Sequence, residues 1–93
     1  MSWRFTWNPD KAVANLSKHG VSFEEASESF ADSNGIELYD ADHSSMHEQR
    51  FIRIAYSTRR LLLTIFTADD DAMIIQIISS REPAKSERAI YES

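Results

Sequence analysis

The sequence predicts a small α+β domain with the element order β-α-α-β-β-β-β-α, a mainly antiparallel twisted sheet, and helices packed mainly on one face of it. Three observations predict this. Cap and glycine signals in NPDKAVANLSKHGVSFEEA mark two consecutive helices near the start. Apolar runs between residues 36 and 79, broken by short turn-rich joints, mark four strands that return on one another. Pro83 then reopens a helix that runs to about Glu92. Ninety-three residues make one domain, residues 1–93, and with only two glycines and two prolines there is no linker or low-complexity segment.

Arg4-Phe5-Thr6-Trp7 alternates and is rich in aromatics, which predicts a short strand. Asn8 then caps a helix that begins at Pro9 and runs to His19, with Gly20 as the left-handed residue that ends it. Val13, Leu16 and Ala12 are expected on its inner side. Lys11, Asn15 and Lys18 are expected on its polar face, with His19 one turn beyond Asn15. Ser22 with Glu25 reads as a capping box and Val21 with Ala26 as a hydrophobic staple. The second helix should run from Phe23 to Ala31, burying Phe23, Ala26 and Phe30 and leaving Glu24, Glu25 and Glu28 in water.

Asp32-Ser33-Asn34-Gly35 is a turn-rich joint, and Ile36–Tyr39 is the next strand. The loop 40–47 follows, then strands at Arg50–Tyr56 and Arg60–Thr67 joined by the tight turn Ser57-Thr58-Arg59. Leu61-Leu62-Leu63 and Ile65-Phe66 are apolar on both faces, as a central strand requires. Asp69-Asp70-Asp71 turns the chain into a last strand, Met73–Ser79.

The formal charge of −5 argues against nucleic-acid binding by the molecule as a whole, but the distribution is uneven. Residues 21–48 carry eight acids and no Lys or Arg, whereas residues 49–68 carry four arginines and no acid. A local basic surface is therefore compatible with an acidic protein, and the acidic block is either a solvated face or a dock for a basic partner. The absence of cysteine rules out disulfides and thiolate metal sites and fits a reducing cytoplasm. No apolar signal core opens the chain and no run approaches membrane-spanning length, so a cytoplasmic protein is expected.

Few residues are candidates for chemistry. His43 and His47, with Asp40, Asp42 and Glu48 near them, have the types but not the helical setting of a metal site, and read as a polar loop. HExxH, P-loop and GxSxG motifs are absent, and no cofactor is expected. Lys18 and His19 at a helix C-terminus either satisfy its dipole or, with Lys11, face a phosphate backbone. Arg81 ends the last strand, where its planar fork could hold phosphate or pair with Glu82 or Glu87. Glu87 and Tyr91 share a face of the last helix, with Arg88 one step around.

FTWNPDKAVANLSKHGVSFEEA, DADHSSMHEQRFIRIAYS and IISSREPAKSERAIYE together resemble the BrnT toxins, whose opening reads roughly F-x-W-[DN]-x-x-K-x-x-x-N-x-x-K-H-G-[VI]-x-F-x-x-A. Phe5, Trp7, Lys11, Asn15, Lys18, His19, Gly20, Val21, Phe23 and Ala26 fit that opening, and Arg81, Glu87, Arg88, Tyr91 and Glu92 fit the family's ending. The resemblance implies a RelE-like fold and a metal-independent endoribonuclease toxin of a type II toxin–antitoxin pair, with RNA as substrate. It further implies a BrnA-like DNA-binding antitoxin, a heterotetramer built on an antitoxin dimer, and operator DNA reached only through the antitoxin.

Carried over to this chain, His19 would be the acid or base with Glu87 as the alternative base. Lys18, Arg60 and Arg81 would hold and neutralise phosphate, and Tyr91 would orient or stack a base. Lys11 and Arg88 would hold RNA further out. Lys18 and His19 are expected at the rim of a cleft where the last strand and Arg81 meet them. The chain departs from the family pattern at Gln76 for arginine, Ala84 for a capping threonine and Ala55 for glycine, and in the acidic turn Asp69-Asp70-Asp71. These departures favour a second reading, a catalytically weak homologue that serves as the antitoxin-binding half of a repressor.

Overall fold

A computed structural model describes residues 2–93, and its element order is the expected one. Strand β1 is Arg4–Thr6, helix α1 Pro9–His19, helix α2 Phe23–Glu28, strand β2 Ile36–Tyr39, β3 Phe51–Tyr56, β4 Leu61–Asp69, β5 Ile74–Arg81 and helix α3 Lys85–Glu92. The five strands form one sheet in the order β1-β5-β4-β3-β2, antiparallel except where β1 runs parallel to β5. The long apolar β4 is central, as its two-sided pattern requires. An irregularity between Ile65 and Phe66 lets Ile65 pair with Ser79 while Phe66 pairs with Ile77.

The caps act locally, but of the expected Ser22–Glu25 capping box only the Ser22 half forms among the described residues, because Arg60 and Ser57 engage the Glu25 carboxylate. The Asn8 side chain accepts from the N–H groups of Asp10 and Lys11, and Ser22 Oγ accepts from Glu25 N–H. Gly20 has φ +70°, a left-handed conformation that a side chain would strain, and its N–H closes the helix on the Leu16 carbonyl. Val21 and Ala26 are both fully buried.

Two packed layers flank the sheet. On one face Phe23 and Ala26 of α2 meet Phe66, Ile75 and Ile77, with Phe5, Trp7, Ala12, Phe30 and Phe51 around them. On the other face Ile54, Leu61 and Leu63 meet Ile52, Ile65 and Tyr91 of α3. Two of the three helices thus share a face and α3 covers part of the opposite one, because alternate residues of β4 point to opposite sides.

Several local expectations are corrected by tertiary contacts. Val13 and Leu16 do not face the core; they are 71% and 52% exposed. The inner face of α1 is instead built on Asn15, 6% exposed, whose Nδ2 donates to the carbonyls of Val21 and Ser80 and whose Oδ1 accepts from Ser80 N–H. Glu25 is buried rather than wet, because it pairs with Arg60 and accepts from Ser57 Oγ. Helix α2 stops at Glu28 and a single 3-10 turn, Ser29–Ala31, finishes the segment. Helix α3 begins at Lys85 rather than Pro83, and Glu87 accepts from Ala84 N–H in place of a side-chain cap.

Candidate functional site

Ser80 and Arg81 are neighbours on β5, so their side chains leave opposite faces of the sheet. Ser80 is buried under α1 against Asn15 and Thr64. Arg81 emerges on the α3 side, where Nη1 and Nη2 donate to the two carboxylate oxygens of Glu87 at 2.8 and 3.0 Å. That fork-to-fork pairing holds the Glu87 carboxyl below the usual carboxylate range and raises Arg81 above an ordinary arginine. Arg81 lines a concavity of about 260 Å³ with Asp40, His43, Arg50, Leu63, Ile65 and Ser79.

Tyr91 lies on the same side of the sheet. Its hydroxyl donates to Asp32 Oδ2 at 2.8 Å and its ring meets Tyr56 edge-on at 5.3 Å. The Asp32 carboxylate raises the Tyr91 phenol above its ordinary value, while Asp32 itself is lowered first by the Tyr56 N–H. Arg88 is half-buried on α3 and forms no ion pair among the described residues.

A second cationic group gathers where α1 ends. Arg60 Nε and Nη2 donate to Glu25 at 3.0 and 2.8 Å, Nη2 also reaches the Gly20 carbonyl at 2.8 Å, and Nη1 lies 3.5 Å from Glu82. The carboxylate of Glu25 raises Arg60 and is itself lowered by it. Arg60 therefore ties the His19-Gly20 hinge to the start of β4, with Lys18 exposed and His19 half-buried beside it.

Hydrogen bonds and ion pairs gather the expected site residues into two groups. No hydrogen bond or ion pair among the described residues joins Lys18 or His19 to Arg81, Glu87 or Tyr91, and the concavity of Arg81 is lined by none of Lys11, Lys18 or His19. The groups meet only along the backbone, where Arg81 Nη1 donates to the Glu82 carbonyl at 3.3 Å while the Glu82 carboxylate faces Arg60. Lys11 is exposed on α1.

The sequence reading missed the loop that closes the Arg81 concavity. Asp40 is 8% exposed and His43 Nδ1 sits 2.9 and 3.1 Å from its two carboxylate oxygens. The three-residue spacing in DADH was the available signal, since Asp40 precedes the short 3-10 turn Ala41–His43 and that turn brings His43 back beside it. His43 and His47 do not come together as ligands: among the described residues no group of three or more His, Asp or Glu has metal-binding geometry.

A larger concavity, about 790 Å³, lies at the opposite end of the β4–β5 pair. Glu37, Glu48, Asp69 and Asp70 line it, with no Lys or Arg among its lining residues. Gln76 lies in this acidic concavity, so its difference from the family pattern falls outside the surroundings of Arg81. No helix of the described residues is long and apolar enough to cross a membrane.

A family model described as the ribonuclease toxin BrnT of type II toxin–antitoxin systems matches residues 7–87. No curated protein matches the chain.

Proposed function

The chain belongs to the BrnT family of ribonuclease toxins of type II toxin–antitoxin systems, and from that premise we propose that it is a metal-independent endoribonuclease whose cleavage site surrounds Arg81. The family match carries the activity. The support for the location is the side-chain arrangement: a guanidinium held in a fixed plane by Glu87, a second guanidinium from Arg50, and a concavity open to solvent.

Cleavage at the 2′-hydroxyl builds negative charge on a crowded phosphorane, and preorganised cations stabilise that charge most where they need not move to meet it. Arg81 supplies such a cation, and Glu87 acts by holding it. Tyr91 and Arg88 border the same face and are proposed to guide the bases and the backbone of a single strand. Lys18, His19 and Arg60, with Lys11 further along α1, are proposed to form a second backbone contact around the sheet edge; this gives His19 an electrostatic role and no proton-transfer step.

The inhibiting partner is proposed to be a BrnA-like antitoxin, assembled as an antitoxin dimer carrying two toxins and binding operator DNA itself. The acidic concavity supports a basic docking segment on that partner, because its wall is all of one sign. The catalytically weak alternative rests on Gln76, Ala84, Ala55 and the acidic turn together; of these, Gln76, Asp69 and Asp70 line the acidic concavity and not that of Arg81.

The test is cleavage of a purified single-stranded RNA in EDTA. The wild type should cut it and Arg81→Ala should not. Growth arrest on expression should follow the same pattern, and its absence in the wild type would favour the repressor-half reading.

A further inference from the structure

Cleavage through the 2′-hydroxyl needs a group that accepts a proton and returns it. Glu87 suits this poorly, since both its oxygens are engaged by Arg81 and Oε1 also accepts from Ala84 N–H. We propose that His43, oriented by the buried carboxylate of Asp40, is the general base and acid of the cleavage site around Arg81. The proposal rests on the ribonuclease reading above.

The geometry of the pair is fixed from behind. Asp40 N–H donates to the Arg50 carbonyl at 2.9 Å, and its own carbonyl accepts from Ser44 Oγ at 2.6 Å. Ser44 Oγ in turn accepts from Arg50 N–H at 2.9 Å, so the two ends of the loop are stitched together. The Asp40 carboxylate has no side-chain partner but His43 among the described residues. A carboxylate on Nδ1 holds that nitrogen as the donor and leaves the Nε2 lone pair as the acceptor. It also opposes the positive charge that proton uptake creates. The His43 side chain is 69% exposed, so Nε2 is open to a ligand.

His43 and Arg81 line the same concavity of about 260 Å³, with Arg50 and Ser79 beside them and Leu63 and Ile65 as an apolar floor. Base and phosphate-binding cations thus line one concavity, where the β2–β3 loop lies over the β4–β5 surface. A surface Asp–His pair whose only work is to hold the loop would need neither the Arg81 neighbour nor an exposed Nε2.

The chemistry balances within the substrate. His43 Nε2 takes the proton of the 2′-hydroxyl as the 2′-oxygen bonds to phosphorus. The bond from phosphorus to the 5′-oxygen breaks, and the imidazolium returns that proton to the departing 5′-oxygen. The products are a 2′,3′-cyclic phosphate and a 5′-hydroxyl; no water is consumed and nothing is oxidised or reduced.

The experiment compares the purified full chain with His43→Ala and Asp40→Asn on a single-stranded RNA oligonucleotide in EDTA, with its 2′-O-methyl counterpart as a non-cleavable probe of binding. His43→Ala should lower kcat by about 100-fold or more, the usual worth of general acid–base catalysis, and leave binding of the 2′-O-methyl probe within about twofold. The groups facing His43 are Asp40, Arg50 and Arg81, the arginines being paired with Glu48 and Glu87. The pH–rate profile is compared across the three proteins: an acid-side limb in the wild type should be altered by Asp40→Asn and absent from His43→Ala. Wild-type cleavage that His43→Ala retains within about threefold, with the same pH profile, would remove His43 from the reaction and leave Arg81 in place. A wild type that cuts no RNA, free or on ribosomes, would overturn the ribonuclease reading and this role together.

Discussion

Two concavities share the β4–β5 strand pair and differ in the charges that line them. One holds Arg81, Arg50 and the Asp40–His43 pair; the other is walled by Glu37, Glu48, Asp69 and Asp70. The loop between β2 and β3 serves both, giving Asp40, His43 and Arg50 to the first and Met46, His47, Glu48 and Gln49 to the second. A net charge of −5 therefore says little about either end. What matters is that arginines line only the first, each paired with a carboxylate, whereas the second offers carboxylates and no Lys or Arg and would repel a polyanion. On the proposed reading, RNA and the inhibitor would be received at opposite ends of one sheet.

The comparison breaks most sharply at Arg81. Arg81→Ala should cut RNA cleavage by about 100- to 1000-fold, as for the loss of a preorganised oxyanion donor, with antitoxin affinity unchanged; an equal loss of both would mean that the ends are not separate. Next in size is Asn15→Ala. It leaves the Ser80 N–H and two carbonyls without partners at the root of Arg81, and should cost about 3 kcal/mol in urea unfolding. Asp69→Lys with Asp70→Lys at the acidic end should weaken a basic antitoxin segment about tenfold and flatten the salt dependence of binding, leaving cleavage as it was. A smaller effect concerns Glu25, whose carboxyl Arg60 holds below its usual range. Such a group stabilises the fold above the ordinary glutamate range and loses that contribution as pH falls through its lowered folded value. Glu25→Gln should therefore be less stable than wild type at neutral pH and differ less from it in acid, measured by thermal melts across pH. Smallest is Leu16→Ser, expected within about 0.5 kcal/mol of wild type because the side chain faces water.

That last expectation shows where sequence reading fails. Caps are local chemistry, so Asn8, Gly20 and Ser22 could be read residue by residue, and the apolar runs of β4 announced a central strand. The facing of α1 could not be read the same way. An apolar stripe at Val13 and Leu16 looks like an inner face until Asn15 is seen to bind the backbone of β5, sixty-five residues away in the chain. Glu25 misleads in the same manner, since its partner Arg60 lies across the fold.

The candidate site divides along the same line. Arg81 and Glu87 were legible as a pair because six residues of strand end and helix start bring them together. The facing of Arg81 was not legible in the same way, because the neighbouring Ser80 turns toward Asn15 of α1 while Arg81 turns toward Glu87 of α3. The Asp40–His43 pair passed as a polar loop, because no pattern in the chain shows that Asp40 is buried.

The most direct test of the two-ended account is an NMR titration of the ¹⁵N-labelled chain with a 2′-O-methyl RNA oligonucleotide, which binds without being cut. The account predicts amide shifts confined to the surroundings of Arg81, His43, Ser79 and Glu87, with smaller ones near Lys18 and Arg60, and none at Glu37, Asp69 or Asp70. Shifts centred on the acidic end, or on α1 with Arg81 and His43 unmoved, would contradict it.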